Sequence, residues 1–97
     1  MDTETLVELF EKHEDKYLED KYIKYTVTKR PDLHAFLIID QLCPGTCDLI
    51  SAAEHDTYYI CVGLDDLAKN ITEDHVIELI ACGVLYESEY QCLRFNV

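Results

Sequence analysis

The chain has 97 residues, with 20 Asp and Glu against 8 Lys and Arg, for a formal charge of −12 at pH 7. A chain of this size makes one domain that buries roughly 60–65% of its unfolded surface, which excludes an enzyme with a substrate cleft between two domains. A hydrophobic fraction of 48%, with seven Tyr and three Phe, excludes a disordered acidic tail, and the charge argues against direct binding to nucleic-acid phosphates.

The N-terminus, Met1-Asp2-Thr3-Glu4, lacks the basic residues and apolar run of a secretory leader. The longest apolar stretch, from Ala35 to Ile39, has five residues, against about twenty for a membrane span. Five cysteines, an odd number, suit a reducing compartment in which all are thiols. The expectation is a soluble, cytoplasmic protein.

In chain order, 3–19 reads as an amphipathic helix. Leu6, Leu9, Phe10, His13 and Tyr17 share one stripe at helical period, and Asp2 or Thr3 can cap it. Residues 22–29 alternate Ile23, Tyr25 and Val27 with polar residues, which suits a strand or an extended connector. Pro31 and Asp32 open a second helix. Leu33, Phe36, Leu37 and Leu42 are its predicted buried side, and Pro44-Gly45 its stop.

Residues 48–54 and 57–62 read as two strands, with Glu54-His55-Asp56 at the turn. A short helical turn at 64–70 carries Asp65 and Asp66. The next helix is the best marked, with Thr72 as N-cap, Glu73 and Asp74 in the first turn, and Gly83 at the stop. His75, at the third helical position, can help the cap, and Ile71 with Val76 has hydrophobic-staple spacing. A second hairpin closes the chain: strand 84–86, turn 87–90, strand 92–97, with Leu93, Phe95 and Val97 facing one way. The fold class is α+β, a single domain over 1–97, with an antiparallel sheet of about four strands in two hairpins and about three helices packed on it. Within it, 1–30 supplies the first helix and connector, and 31–97 the acidic α+β part.

Charge is unevenly distributed. Residues 1–30 hold eight acids and six bases, and 31–97 hold twelve acids and only Lys69 and Arg94 as bases, giving −2 and −10. Unpaired carboxylates stay at the surface because burying them is costly, and such a surface steers toward basic partners. The plain alternative is bulk solubility. Asp65, Asp66, Glu73, Asp74, Glu87 and Glu89 are the expected contact acids, with Tyr86 or Tyr90 as an aromatic anchor, since Tyr is enriched at interfaces.

Other constellations carry less. Cys43-Pro44-Gly45-Thr46-Cys47 has a spacing seen in zinc sites, and His55 would be a third ligand, but the sequence offers no fourth. Glu54-His55-Asp56 reads as a polar turn. Nothing resembles a nucleophile elbow or a glycine-rich phosphate loop. No cofactor or metal is expected, and no catalytic residue is assigned.

Arg30-Pro31-Asp32-Leu33-His34-Ala35-Phe36-Leu37, Pro44-Gly45-Thr46, Ala52-Ala53-Glu54-His55-Asp56 and Cys82-Gly83-Val84 resemble small acidic accessory proteins of tailed bacteriophages, over residues 30–97. The resemblance transfers no site. It implies an inhibitor of a host defence nuclease, of the anti-CRISPR or anti-restriction, DNA-mimic type, acting in the host cytoplasm. The combined expectation is a non-enzymatic inhibitor that binds a basic, nucleic-acid-handling bacterial protein. The first alternative is an acidic interaction or immunity-type module that blocks a toxin or signalling enzyme by shape. The second is a small metal-dependent enzyme, which needs Cys43, Cys47 and His55 to meet.

Overall fold

A computed structural model describes residues 1–96. Helix α1 (Thr3–Lys12) starts where Asp2 accepts the Thr5 N–H at 2.8 Å, a bond that holds the Asp2 carboxyl below its usual range. The helix is shorter than its apolar stripe predicts. It ends at His13, and the chain continues in two 3-10 turns, Glu14–Lys16 and Asp20–Tyr22. Two competing interactions explain the early stop. Glu14 and Asp15 would face the negative end of the helix dipole, and Leu18, at φ 59°, turns to donate its N–H to the Ile80 carbonyl. Tyr17 still packs against the core, from outside the helix. The segment after Tyr22 is an extended connector without strand pairing.

Helix α2 (Pro31–Leu42) begins with proline in its first turn. Its buried residues are His34, Ala35, Ile38 and Ile39, whereas Leu33 is 44% exposed and Phe36 only half-buried. The predicted buried face is thus rotated. Apolar residues line most of this helix, so periodicity did not select a side; the rotation is set by His34, whose ring lies 2.6 Å from Glu78.

Strands β1 (Ile50–Glu54) and β2 (Thr57–Ile60) form the first hairpin, closed by His55-Asp56 with His55 in the left-handed region at φ 54°. After the short helix α3 (Leu64–Ala68) comes α4 (Glu73–Cys82). Thr72 caps α4 as a reciprocal box: its hydroxyl accepts the His75 N–H at 3.3 Å, and His75 Nδ1 accepts the Thr72 N–H at 3.1 Å. Ile71 and Val76 are both buried, as the staple spacing expects. Gly83 ends the helix at φ 112°, where an added Cβ would lie 3.4 Å from both Leu18 and Phe95. Strands β3 (Val84–Glu87) and β4 (Cys92–Asn96) form the second hairpin, with Glu87 opposite Cys92 and the turn over 88–91, one residue later than predicted. Val97, assigned by sequence to the last strand, lies outside the described residues.

The two hairpins join through β2 and β4, giving one antiparallel sheet in the order β1-β2-β4-β3. This is the α+β architecture expected, with three longer helices and the short α3. Registers place Ile60 opposite Leu93 and Val84 opposite Phe95 on the inner face. The helices cover that face, with Phe36 of α2 meeting Phe95 at a ring separation of 6.1 Å. Leu6 and Phe10 of α1 join Ile39, Leu79, Ile80 and Leu93 in a single buried cluster. Each such side chain contributes about 1.5–3 kcal/mol on burial, so residues 1–30 are part of what holds the acidic part together. No helix among the described residues is long and apolar enough to cross a membrane.

Candidate partner-binding surface

The other sheet face has no helix over it. Strand alternation puts Ala52 and Glu54 of β1, Thr57 and Tyr59 of β2, Arg94 and Asn96 of β4, and Leu85 and Glu87 of β3 on this side. Hydrogen bonds run across it, from Thr57 Oγ1 to Asn96 Oδ1 at 3.3 Å and from Tyr59 OH to Glu54 Oε2 at 3.5 Å. Arg94 Nε lies 3.5 Å from Glu87 Oε2.

Of the adjacent tyrosines, Tyr58 pairs with Phe95 toward the helices, and Tyr59 points outward. There Tyr59 meets Tyr90, from the 88–91 turn, edge to face at 5.2 Å. Tyr90 is 56% exposed. Three carboxylates surround the pair. Glu89, then Glu54, push the Tyr90 hydroxyl pKa up. Burial, then Glu54, do the same for Tyr59. A depression of ≈390 Å³ beside the pair is lined by Ser51, Ala52, Glu54, Tyr59, Tyr90 and Cys92.

The eight predicted contact residues fall into three places. Glu87, Glu89 and Tyr90 belong to the sheet-face cluster. Asp65, Asp66 and Tyr86 line a groove of ≈630 Å³ with Glu4 and Gln91. In it, Thr3 Oγ1 donates to Asp65, and Lys69 lies 3.4 Å from Asp66. The groove and the sheet face share the β3–β4 hairpin, through Tyr86 and Gln91 on one side and Glu87 to Tyr90 on the other.

Glu73 and Asp74 sit elsewhere, at the start of α4 beside lysines of the mixed-charge N-terminal segment. Glu73 Oε2 lies 2.7 Å from His13 Nε2 and 3.5 Å from Lys12 Nζ. The His13 hydrogen bond, then the Lys12 charge, hold its carboxyl below the usual range. Asp74 lines a cleft with Lys21, Tyr22, Lys24, Ile77 and Glu78. Lys12 thus lies against Glu73, and Lys21 and Lys24 line the same cleft as Asp74 and Glu78, while Lys16 pairs with Asp15. Among the described residues, the acids of α3 and the sheet face form ion pairs with Lys69 and Arg94 alone.

Sequence reasoning assigned neither Glu54 nor Tyr59 to the contact set, although adjacent Tyr58 and Tyr59 on a strand require one ring to face away from the core. Glu54 looked like a turn residue. The signal was the two-residue turn: closing a hairpin on His55-Asp56 puts Glu54 opposite Thr57 and Ala52 opposite Tyr59.

The cysteines divide as well. Cys82 is buried, and burial, with Glu78 and Asp20 nearby, pushes its thiol up to about 12. Cys92 is half-buried on the open sheet face, and its thiol is raised by burial and Glu87. Cys43, Cys47 and Cys61 line one cavity with Asp40. His55 lies at the far end of the β1–β2 hairpin, so the metal-enzyme arrangement of Cys43, Cys47 and His55 is not assembled. Among the described residues, no three or more His, Cys, Asp or Glu side chains converge so as to hold a metal ion. Comparison with family models, curated proteins and solved structures gave no match.

Proposed function

We propose that the protein is a non-enzymatic inhibitor that binds a basic, nucleic-acid-handling bacterial protein through its open sheet face and the adjoining α3 groove. One observation carries this reading. Glu54, Glu87 and Glu89 surround a pair made of half-buried Tyr59 and exposed Tyr90, and Asp65 and Asp66 lie on the other side of the same hairpin. Carboxylates on a rigid sheet can occupy a groove built for phosphates, and tyrosine adds contact area at low entropic cost. The resemblance to phage accessory proteins makes a restriction or CRISPR nuclease the expected target class, and the host cytoplasm the expected place of action.

The aromatic pair also supports a second reading, an acidic module that blocks a toxin or signalling enzyme by shape. The two readings differ in salt dependence. Contacts that replace phosphates weaken steeply with ionic strength, whereas a packed tyrosine anchor does not. Affinity capture from bacterial lysate with the full chain, at about 50 mM and about 500 mM salt, separates them. Phosphate mimicry predicts a nuclease or nucleic-acid-binding complex held at low salt, released at high salt and displaced by duplex DNA. Retention at high salt that duplex DNA does not disturb supports the shape-based reading and overturns mimicry.

A further inference from the structure

Three of the five cysteines gather at the end of the sheet opposite the His55-Asp56 turn. Cys43 follows α2, Cys47 lies in the loop before β1, and Cys61 follows β2. All three line a cavity of ≈230 Å³ with Asp40, Pro44, Gly45, Leu49, Val62 and Gly63. The backbone brings two of them together. Cys61 donates its N–H to the Leu49 carbonyl, which continues the β1–β2 ladder past Ile50 and draws the 47–49 loop against the end of β2. Cys47 and Cys61 are both exposed, and Cys43 is half-covered.

We propose that Cys47 and Cys61 form a redox-active thiol pair that a low-molecular-weight disulfide converts to an intramolecular disulfide. The Cys61 thiol supports the closeness of the pair, being raised chiefly by the charge of Cys47. In the first step the thiolate of one cysteine attacks a sulfur of the small disulfide, giving a mixed disulfide and one small thiolate. The second cysteine gives up its proton and attacks the protein sulfur of that mixed disulfide, expelling the second small thiolate. The two protein thiols are oxidised, the small disulfide is reduced to two thiols, and protons and electrons balance.

The bond would tie the 43–49 loop to the end of β2 and fix the hairpin that carries β1. Closing a loop of this length removes freedom from the unfolded chain, so the oxidised protein is the more stable form. Its cavity borders the α3 groove through Val62 and Gly63, but the disulfide is read by mass and melting with no partner present, so the proposal stands or falls independently of the function proposed above.

The test uses the full chain incubated with oxidised or reduced glutathione. Peptide mass mapping under non-reducing conditions follows, with a thermal melt of each form. The expected result is one disulfide linking Cys47 to Cys61, a loss of two hydrogen masses, and a Tm several degrees above the reduced form. Cys47→Ser and Cys61→Ser should each remove the Tm shift, and Cys43→Ser should retain it. Both serine positions are exposed, and the far-ultraviolet circular dichroism of each variant establishes that it folds. Glutathione adducts without an internal bond, a disulfide that uses Cys43, or thiols that all stay reduced would overturn the proposal.

Discussion

Tyr59 and Tyr90 pack edge to face at 5.2 Å on the sheet side that no helix covers. One is the third residue after a hairpin turn and the other comes from the turn of a different hairpin, so the contact exists only because β2 and β4 are neighbours. Tyr59→Ala and Tyr90→Ala should therefore each lower partner affinity by tenfold or more, the loss typical of an aromatic anchor of about 2 kcal/mol. The Tyr90→Ala melt should move little, because that side chain is mostly exposed. Binding isotherms beside thermal melts make the check. Unchanged affinity in both variants removes the tyrosines from the interface.

The buried His34–Glu78 contact should matter for folding and not for binding. Glu78 Oε2 lies 2.6 Å from His34 Nε2 and also accepts the Lys24 backbone N–H at 2.8 Å, so it ties α2 and the N-terminal connector to α4. Glu78→Ala removes both bonds and strands a buried ring nitrogen, at a cost of about 1–3 kcal/mol. Chemical denaturation should show a lower midpoint with the slope unchanged.

The ends of α4 give two further stability predictions. Thr72→Ala breaks the reciprocal cap and should cost about 1 kcal/mol, a Tm drop of about 4–8 °C in a domain of this size. Gly83→Ala should cost more than about 1 kcal/mol, since alanine at a positive φ is strained even though its Cβ would meet Leu18 and Phe95 at ordinary contact distance. Melts of the two variants and the parent measure both effects.

Acid stability should depend on Glu73. Its folded pKa lies below the ordinary value of 4.5, chiefly through the His13 hydrogen bond. The stabilisation is fully present above the unfolded pKa and is lost as pH falls through the folded one. Between neutral pH and about pH 5 the carboxylate contribution of Glu73 should be constant, and it should fade below that. Glu73→Gln should flatten this acid limb in a series of melts against pH; an unchanged limb would show that the contact contributes nothing in solution.

Local signals were legible in the sequence where one residue does one job. Thr72, His75 and Gly83 announce α4 and occupy the predicted cap and stop. The two hairpins followed from their β-rich runs and turns. The rest depended on tertiary choices. In α2, apolar residues on most sides left the rotation to the His34–Glu78 contact. In α1, a stripe running on to Tyr17 concealed a helix end set by the Leu18–Ile80 hydrogen bond. The acidic run after Arg30 was visible as a count, but its division was not. Glu73 and Asp74 of α4 face Lys12 and Lys21 of the N-terminal segment, while Glu54 joins Glu87 and Glu89 only through the β2–β4 pairing.

The proposed role of the acids of the sheet face and α3 groove is to bind a defence nuclease. Its most direct test is phage plating on bacteria with active restriction or CRISPR systems. The strains express the parent chain or the variant Glu54→Gln, Asp65→Asn, Asp66→Asn, Glu89→Gln, whose side chains lie at the surface. Glu73→Gln with Asp74→Asn serves as the charge control, at the exposed start of α4 beside Lys12 and Lys21 and apart from the sheet face. The account predicts plating restored by the parent and by the control, and lost with the first variant at equal protein level. Full protection by the first variant, or no protection by the parent in any strain, would contradict it.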